Sequence, residues 1–265
     1  MIFVLVPLSF RSCHRFYLVG VSCPRRLFKG FMPDPAMPLT VFDIDGTLCQ
    51  TSGLDDACWR TAAQDVLGIK EMSTDWSHYP HSTDESIAGA LIREHHGVEP
   101  DRALLDRLRD HFVGLLEKAH AKNSDCIRAT PGARRLLSTL DRQSHPVAIA
   151  TGGWTPSARL KLSHSGIDWE GVPSAFACDA HPREQIISLA IDRAADLHRC
   201  TPADFGRIVY VGDGIWDLKA TRALGISFVG LARGQRAELL GQAGAMVIHE
   251  DFQDLDSLLA SLGGA

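Results

Sequence analysis

The sequence predicts an α/β protein: a three-layer core built on a parallel sheet, with a helical segment inserted after the first strand. Three observations predict it. An apolar, partly β-branched run at residues 39–42 reads as a buried strand and breaks abruptly into polar residues. No strong strand pattern follows between residues 50 and 129. After Pro131-Gly132, strand and helix patterns alternate, as they do in parallel sheets with right-handed crossovers.

A chain of 265 residues can hold one large α/β domain, or a core plus a smaller domain. The apolar fraction of 45% and the charged fraction of 22% are those of an ordinary globular protein, so no unusual class is needed. A net charge of -5 argues against non-specific nucleic-acid binding, and no apolar run approaches the length of a membrane span. The 7 cysteines are scattered, odd in number and without a Cys-x-x-Cys pair. A reducing compartment, the cytoplasm, is therefore expected rather than a disulfide framework or a zinc site. Cys49 reads as a small residue near a turn.

Residues 1–36 do not resemble the rest. They are apolar and basic, with Arg11, Arg15, Arg25, Arg26 and Lys29, and no acid precedes Asp34. A targeting segment is one reading; a secretory signal is weaker, because no basic residue precedes the apolar run Ile2 to Leu8. The expectation is a disordered tail, or a start assigned too far upstream, with Met37 a natural beginning. A chain starting at Met37 should then fold and work fully; loss of solubility or activity would refute this.

The strand Leu39 to Phe42 ends in Asp43-Ile44-Asp45-Gly46-Thr47. Side chains at i and i+2 of an extended segment point the same way, so Asp43 and Asp45 face one pocket while Ile44 turns into the core. Gly46 permits a sharp exit and close approach of backbone amides to an anion. Two carboxylates at the end of a buried strand are costly unless a cation sits between them or one holds a proton.

The inserted segment reads as three helices. Leu54 to Leu67 carries Leu54, Ala57, Cys58, Thr61, Ala62 and Val66 at helical spacing. Thr83-Asp84 can cap a second helix running to about His95. Asp101 opens a third, with Leu104, Leu105, Leu108, Phe112, Leu115 and Leu116 on one face. The polar-aromatic stretch from Trp76 to Asp84 reads as a surface loop with a helix cap, ahead of the alternative that it faces the pocket. His78 and His81 lack the further ligands a metal site needs.

In the second half, Ala133 to Leu140 is a helix, and Pro146 to Ala150 a strand ending in Thr151-Gly152-Gly153. A helix at Pro156 to Ser165, a strand at Ser174 to Cys178 and a helix from Pro182 to Leu197 follow, the last with Pro at its first turn. Arg207 to Val211 is a strand ending in Gly212-Asp213-Gly214-Ile215-Trp216-Asp217, followed by a helix to about Leu224. Ile226 to Gly230 and Ala245 to Ile248 are the last strands expected. Ligands of such sheets bind beyond the carboxyl ends of the strands, where these unusual residues lie. A hydroxyl at Thr151 and amides around Gly152 can hold phosphate oxygens there. Trp216 reads equally as core or as entrance lining.

Asp43-Ile44-Asp45-Gly46-Thr47 resembles the first signature motif of the haloacid dehalogenase-like (HAD) hydrolases, and the chain resembles their phosphoglycolate phosphatase-like subgroup. The resemblance implies a Rossmann-like core at 37–49 and 130–265, a helical cap domain at 50–129, and an N-terminal extension at 1–36. It implies that Asp43 is the nucleophile taking up a phosphoryl group and Asp45 the general acid/base. Thr151 matches the second motif and holds phosphate, with Gly152 beside it. Arg183, in His181-Pro182-Arg183-Glu184, matches the charge-neutralising third motif, with Lys161 a weaker competitor. Asp213 and Asp217 match the fourth. The implied cofactor is Mg2+, held by Asp43, Asp45, Asp213 and Asp217, with Asp213 the better ligand of the last two. Caps close over the pocket, exclude water and choose the substrate.

The function so implied is Mg2+-dependent hydrolysis of a small organic phosphomonoester through an aspartyl-phosphate. A phosphoglycolate-like or sugar-phosphate-like metabolite suits the cap's mixed charges, His and Trp, with nucleoside monophosphates left open. Asp45 speaks against a dehalogenase, which needs neither the second Asp nor metal. A phosphonatase needs a cap Lys, and Lys70, Lys118 and Lys122 sit in no recognisable motif. P-type ATPases need membrane spans. A phosphomutase, which activation by a bisphosphate would reveal, and a non-catalytic binding protein are the alternatives.

Overall fold

The computed structural model describes residues 37–51 and 53–263; the expectation for residues 1–36 lies outside them. The chain enters through β1 (Leu39–Phe42), turns through the Asp43–Leu48 loop and forms β2 (Cys49–Gln50). Three helices follow: α1 (Leu54–Leu67), α2 (Asp84–His96) and α3 (Arg102–Lys122). Then come β3 (Arg128–Ala129), α4 (Ala133–Arg142), β4 (Val147–Ala150) and α5 (Thr155–His164). The remaining elements are β5 (Ser174–Ala175), α6 (Arg183–His198), β6 (Ile208–Gly212), α7 (Ile215–Leu224), β7 (Ser227–Leu231), α8 (Gly234–Gln242), β8 (Ile248–His249) and α9 (Leu255–Leu262).

Among the described residues, six strands form one parallel sheet in the order β5-β4-β1-β6-β7-β8. The fold class is therefore the α/β parallel sheet expected. β1 lies between β4 and β6, so the chain order reverses around it, and a crevice opens there at the carboxyl ends of the strands.

The strand pleat sorts the core. Leu39 and Val41 pack with Ile186, Ile187 and Ala190 of α6, while Phe42 and Ile44 pack with α4, α5 and α9 on the other face. Strands covered on both faces explain the continuous apolar runs in the sequence. Thr40, the one polar residue of β1, donates or accepts a hydrogen bond with His145 Nε2 at 2.8 Å.

The inserted helices have their own apolar cluster, centred on Trp59, Leu91, Leu108 and Phe112. Asp101 caps α3 as expected, its carboxylate accepting from the Leu104 amide at 2.7 Å. Trp154, from the segment after β4, joins this cluster: its ring stacks on Trp59 at 5.1 Å and its Nε1 donates to Glu85 Oε2 at 2.6 Å. The insertion thus packs onto the sheet through an aromatic contact rather than standing apart. β2 and β3 pair antiparallel, Cys49 with Ala129 and Gln50 with Arg128, so the chain leaves and returns side by side.

Several expectations need correction. The strand expected over Ser174 to Cys178 stops at Ala175, because Phe176 turns: its amide donates to Asp179 Oδ2, and Asp179 N donates back to Phe176 O. The last strand is Ile248–His249 rather than Ala245 to Ile248. The β2–β3 pair, α8 and α9 were not anticipated. α9 carries Leu255, Leu258, Leu259 and Leu262 at i, i+3, i+4, i+7, a clear helical stripe capped by Asp254. Among the described residues, no helix is long and apolar enough to cross a membrane.

Candidate active site

Three adjacent strands, β4, β1 and β6, deliver Thr151, Asp43 and Asp213 to one end of the sheet. Asp43 follows β1 directly, its amide donating to Val211 O of β6 at 2.9 Å. Its side chain is buried, and Oδ1 has no hydrogen-bond partner among the described residues. The loop then closes tightly, with Cys49 N donating to Ile44 O at 2.8 Å and Gly46 N to Cys49 O at 2.9 Å. Gly46 has φ +74°, and a Cβ there would meet Asp213 Oδ2 at 2.0 Å. Both the turn and the approach of the two acidic loops require glycine.

Asp217 sits in the first turn of α7. Its Oδ2 accepts from the Gly214 amide at 3.0 Å, and Oδ1 accepts from Arg183 Nη1 at 2.8 Å. The Tyr210 hydroxyl lies 3.3 Å from the same Oδ1. Asp213 is held from outside by Arg236 of α8, Nη1 to Oδ2 at 2.6 Å. One carboxylate oxygen each from Asp43, Asp213 and Asp217 falls within a 4.8 Å cluster, all three residues buried.

Arg183 opens α6, where the helix dipole disfavours a cation. The acids around it supply the compensation: it pairs with Asp217 at 2.8 Å and reaches Asp43 Oδ1 at 3.8 Å. Its Nη2 donates to Ser82 O at 2.7 Å. Gly152 is small because Arg183 and Ser82 crowd it; a Cβ would stand 2.3 Å from Arg183 Nη2 and 2.8 Å from Ser82 O. Thr151 is buried beside them, its Oγ1 accepting from Gly153 N at 3.2 Å.

Burial raises the carboxyl pKa values throughout. Asp43 is pushed well above the usual range by burial and by Asp217, against the pull of Arg183. Burial lifts Asp213 to about 7 despite Arg236, and raises Asp217 despite Arg183. Asp45 rises to about 6, burial outweighing Lys161. Carboxylates this crowded favour either protons or a cation.

The donor set fits Mg2+. It is all oxygen, it is anionic, and one of its atoms, Asp43 Oδ1, is buried without a hydrogen-bond partner among the described residues. Two oxygens on one Mg2+ stand at most about 4.2 Å apart, so the cluster needs only a small contraction to hold it.

The Asp45 carboxylate, expected among the metal ligands, is not part of this cluster. It turns instead to Lys161, with Nζ 2.6 Å from Oδ1. Lys161 therefore does not compete with Arg183 for the place beside Asp43; it occupies a separate one. Of the Trp76–Asp84 stretch, expected at the surface, Ser77, His78, Pro80 and His81 are exposed, whereas Trp76, Ser82 and Asp84 line the same cavity as Asp43 and Thr151. Trp216 lines it too, which decides between core and entrance. Cys49 is inert, its thiol buried against Ser165 Oγ and pushed up to about 12 by that burial.

Sequence reasoning missed the roles of Asp55, Trp59, Asp84 and Arg236, and undervalued Lys161. A signal for Lys161 existed: with Ala158 and Leu162 it falls at i, i+3, i+4 on the buried stripe of α5. Asp84 was read only as a cap, yet its carboxylate accepts from Trp154 N at 2.8 Å and Trp59 Nε1 at 3.2 Å.

A family model described as a haloacid dehalogenase-like hydrolase matches residues 37–225. The chain belongs to the haloacid dehalogenase-like hydrolase family. Among curated relatives, it is 25% identical over 234 residues to a phosphoserine phosphatase of Streptomyces coelicolor, covering 86% of this chain and 51% of that one. The chain thus spans about half the length of that relative. Among solved structures, a hydrolase from Pseudomonas syringae superposes with a TM-score of 0.64 at 25% identity, covering 83% of this chain and 97% of that one. A predicted phosphoglycolate phosphatase from Haemophilus somnus shares the fold, with a TM-score of 0.57, 20% identity, and 83% and 96% coverage.

Proposed function

We propose that this protein is a Mg2+-dependent phosphatase of small organic phosphomonoesters, working through an aspartyl-phosphate in the cytoplasm. The observation that carries the reading is the buried trio Asp43, Asp213 and Asp217, with an oxygen of Asp43 that has no hydrogen-bond partner among the described residues and Arg183 3.8 Å from it. Asp43 attacks phosphorus; Arg183 takes up charge as it spreads over the phosphoryl oxygens, and Thr151 and the Gly152 backbone hold one side of the group. Asp45 gives its proton to the departing alcohol and then takes one from the water that cleaves the aspartyl-phosphate. A carboxyl with a pKa of about 6 is suited to both tasks near neutrality. Mg2+, held by Asp43, Asp213 and Asp217, would draw charge from the phosphoryl group and keep Asp43 ionised.

Residues 37–49 and 130–265 serve as the catalytic core in this reading, and 50–129 as the cap. The cap side of the cavity is lined by Trp59, Trp76, Asp84 and Ile87, and the cavity measures about 90 Å³. So small a space favours a compact ester, phosphoglycolate-, phosphoserine- or sugar-phosphate-like, over a nucleotide. Retention of both Asp43 and Asp45 favours catalysis over a binding role.

The test is phosphate release from a panel of small phosphomonoesters, with Mg2+ and with EDTA, for wild type and Asp43→Asn. Metal-dependent turnover that vanishes in the variant supports the reading, and the ranking identifies the substrate. No release from any ester by folded, Mg2+-binding protein overturns it; turnover that appears only as isomerisation with a bisphosphate activator points to a mutase instead.

A further inference from the structure

Lys161 is a buried cation to which the chemistry above assigns no task. Its side chain is 3% exposed, and its Nζ stands 2.6 Å from Asp45 Oδ1 and 2.7 Å from Asp55 Oδ1. Asp45 belongs to the loop after β1, whereas Asp55 lies in the first turn of α1, at the start of the insertion. One ammonium thus grips a carboxylate of the reacting loop and a carboxylate of the inserted helices. Both partners are themselves fixed. The other oxygen of Asp55 accepts from Thr51 Oγ1 at 2.7 Å, and the Phe112 ring of α3 lies 5.9 Å from Nζ. The other oxygen of Asp45, Oδ2, faces Gly153, where a Cβ would approach it to 3.4 Å. Lys161 therefore takes one oxygen of Asp45 and leaves the second directed to the strand end that carries Thr151 and Gly152.

We propose that Lys161 is the positioning residue for proton transfer to the leaving group: it aims the free oxygen of Asp45 at the ester oxygen, and through Asp55 it makes that aim depend on α1 being seated over the pocket. The proposal rests on Asp45 acting as the acid. In the step it serves, the bond from phosphorus to the ester oxygen breaks with its electron pair on oxygen. That oxygen takes the proton of Asp45, while Asp43 makes the new bond to phosphorus. Lys161 keeps its own protons throughout. A carboxyl group held at one oxygen by a fixed ammonium cannot turn about its Cβ–Cγ bond without breaking that contact. Without that hold it can turn toward Asp55, Thr51 or water, and misplacement of a reacting group by about 1 Å costs on the order of a hundredfold in rate. The connection to Asp55 gives the insertion a second task besides covering the site: when α1 lifts, the ammonium loses one of its two anionic partners, and Asp45 loses its fixed orientation with it.

Leaving-group chemistry separates positioning from mere structure. An alkyl ester needs the proton; the p-nitrophenolate released from p-nitrophenyl phosphate departs as a stable anion and hardly does. Turnover with Mg2+ is measured on p-nitrophenyl phosphate and on the best alkyl ester of the panel, for wild type, Asp45→Asn, Lys161→Met, Lys161→Arg and Asp55→Asn. Asp45→Asn tests the underlying reading on its own: in kcat/KM, which reports formation of the aspartyl-phosphate and not the later water step common to both esters, it should lose about a hundredfold or more on the alkyl ester and far less on the aryl ester. Lys161→Met should follow the same pattern, losing at least about tenfold more kcat/KM on the alkyl than on the aryl ester, and Lys161→Arg should recover part of it. Asp55→Asn leaves the Lys161–Asp45 pair in place and should show a smaller loss confined to the alkyl ester; it carries the test if Lys161→Met does not fold. Equal losses on both esters, or none, in Lys161→Met and Asp55→Asn alongside a selective loss in Asp45→Asn would overturn the positioning role and leave the phosphatase reading intact. An unselective Asp45→Asn would overturn both.

Discussion

Arg183→Met removes the buried cation that pairs with the carboxylate trio while keeping most of the side-chain volume. Its pairs with Asp217 at 2.8 Å and Asp43 at 3.8 Å are worth about 6 and about 4 kcal/mol at an effective dielectric of 20. Desolvating the guanidinium takes back several kcal/mol, so the net loss on breaking the pairs is about 3–5 kcal/mol. That loss depends on pH. Burial raises Asp43 and Asp217 even with Arg183 present, and without it they rise further. For a carboxyl whose folded pKa is raised, the stability linked to it is fully present below the unfolded pKa and is lost as pH rises through the folded one. The variant's deficit therefore widens with pH. Urea titrations followed by tryptophan fluorescence in EDTA should give about 3–5 kcal/mol at pH 8 and less than half of that at pH 5.5. A deficit under about 1 kcal/mol at pH 8, or one that does not change with pH, would refute the view of Arg183 as the counter-charge of this cluster.

Asp213→Asn removes one of three crowded charges. Since burial lifts Asp213 to about 7, its ionisation weighs against the fold above that pH, and metal-free Asp213→Asn should be more stable than wild type at pH 8 by roughly 2 kcal/mol or more. The same variant should lose the stabilisation Mg2+ gives wild type, about 2.7 kcal/mol at a hundredfold excess over Kd; thermal unfolding with and without Mg2+ checks both. His145, bound to Thr40, is held neutral by burial, its pKa lowered to about 4. A depressed histidine pKa contributes stability that is present above about 6.5 and lost as pH falls toward 4, so the advantage of wild type over His145→Gln should shrink by up to about 3 kcal/mol across that window in urea titrations.

Much of this was legible in the sequence, for identifiable reasons. β1 and the Asp43–Asp45 pair follow from a short apolar run with a period-2 exit, and Ile44 does turn into the core as that period requires. α1 and α3 follow from apolar spacing sustained over three or more turns. The two-residue strands β2 and β3 are invisible to periodicity, because two residues carry no period; only the return of the chain beside itself makes them. Ser82 gave no signal at all. It matters through its backbone carbonyl, which any residue would present, and only the packing of the insertion on Arg183 brings it there. Asp84 and Asp55 looked like helix-start acids, and their carboxylates do lie at helix starts; what local pattern cannot say is that Trp154 and Lys161, some 70 and 106 positions on, reach them.

Asp43 and Asp45 stand two residues apart on one loop, yet they draw their cations from opposite faces of the sheet. Arg183 comes from α6, which packs against Leu39 and Val41; Lys161 comes from α5, which packs against Phe42 and Ile44. A single helix could not serve both, because it packs against one face of the sheet only. The three-layer arrangement therefore lets two chemically identical side chains be set differently. Arg183 and the neighbouring carboxylates surround Asp43 with both signs of charge, whereas Asp45 faces the ammonium of Lys161. An ammonium at 2.6 Å and a divalent ion would repel each other at the same oxygen. The Asp45 carboxylate accordingly lies outside the cluster of Asp43, Asp213 and Asp217.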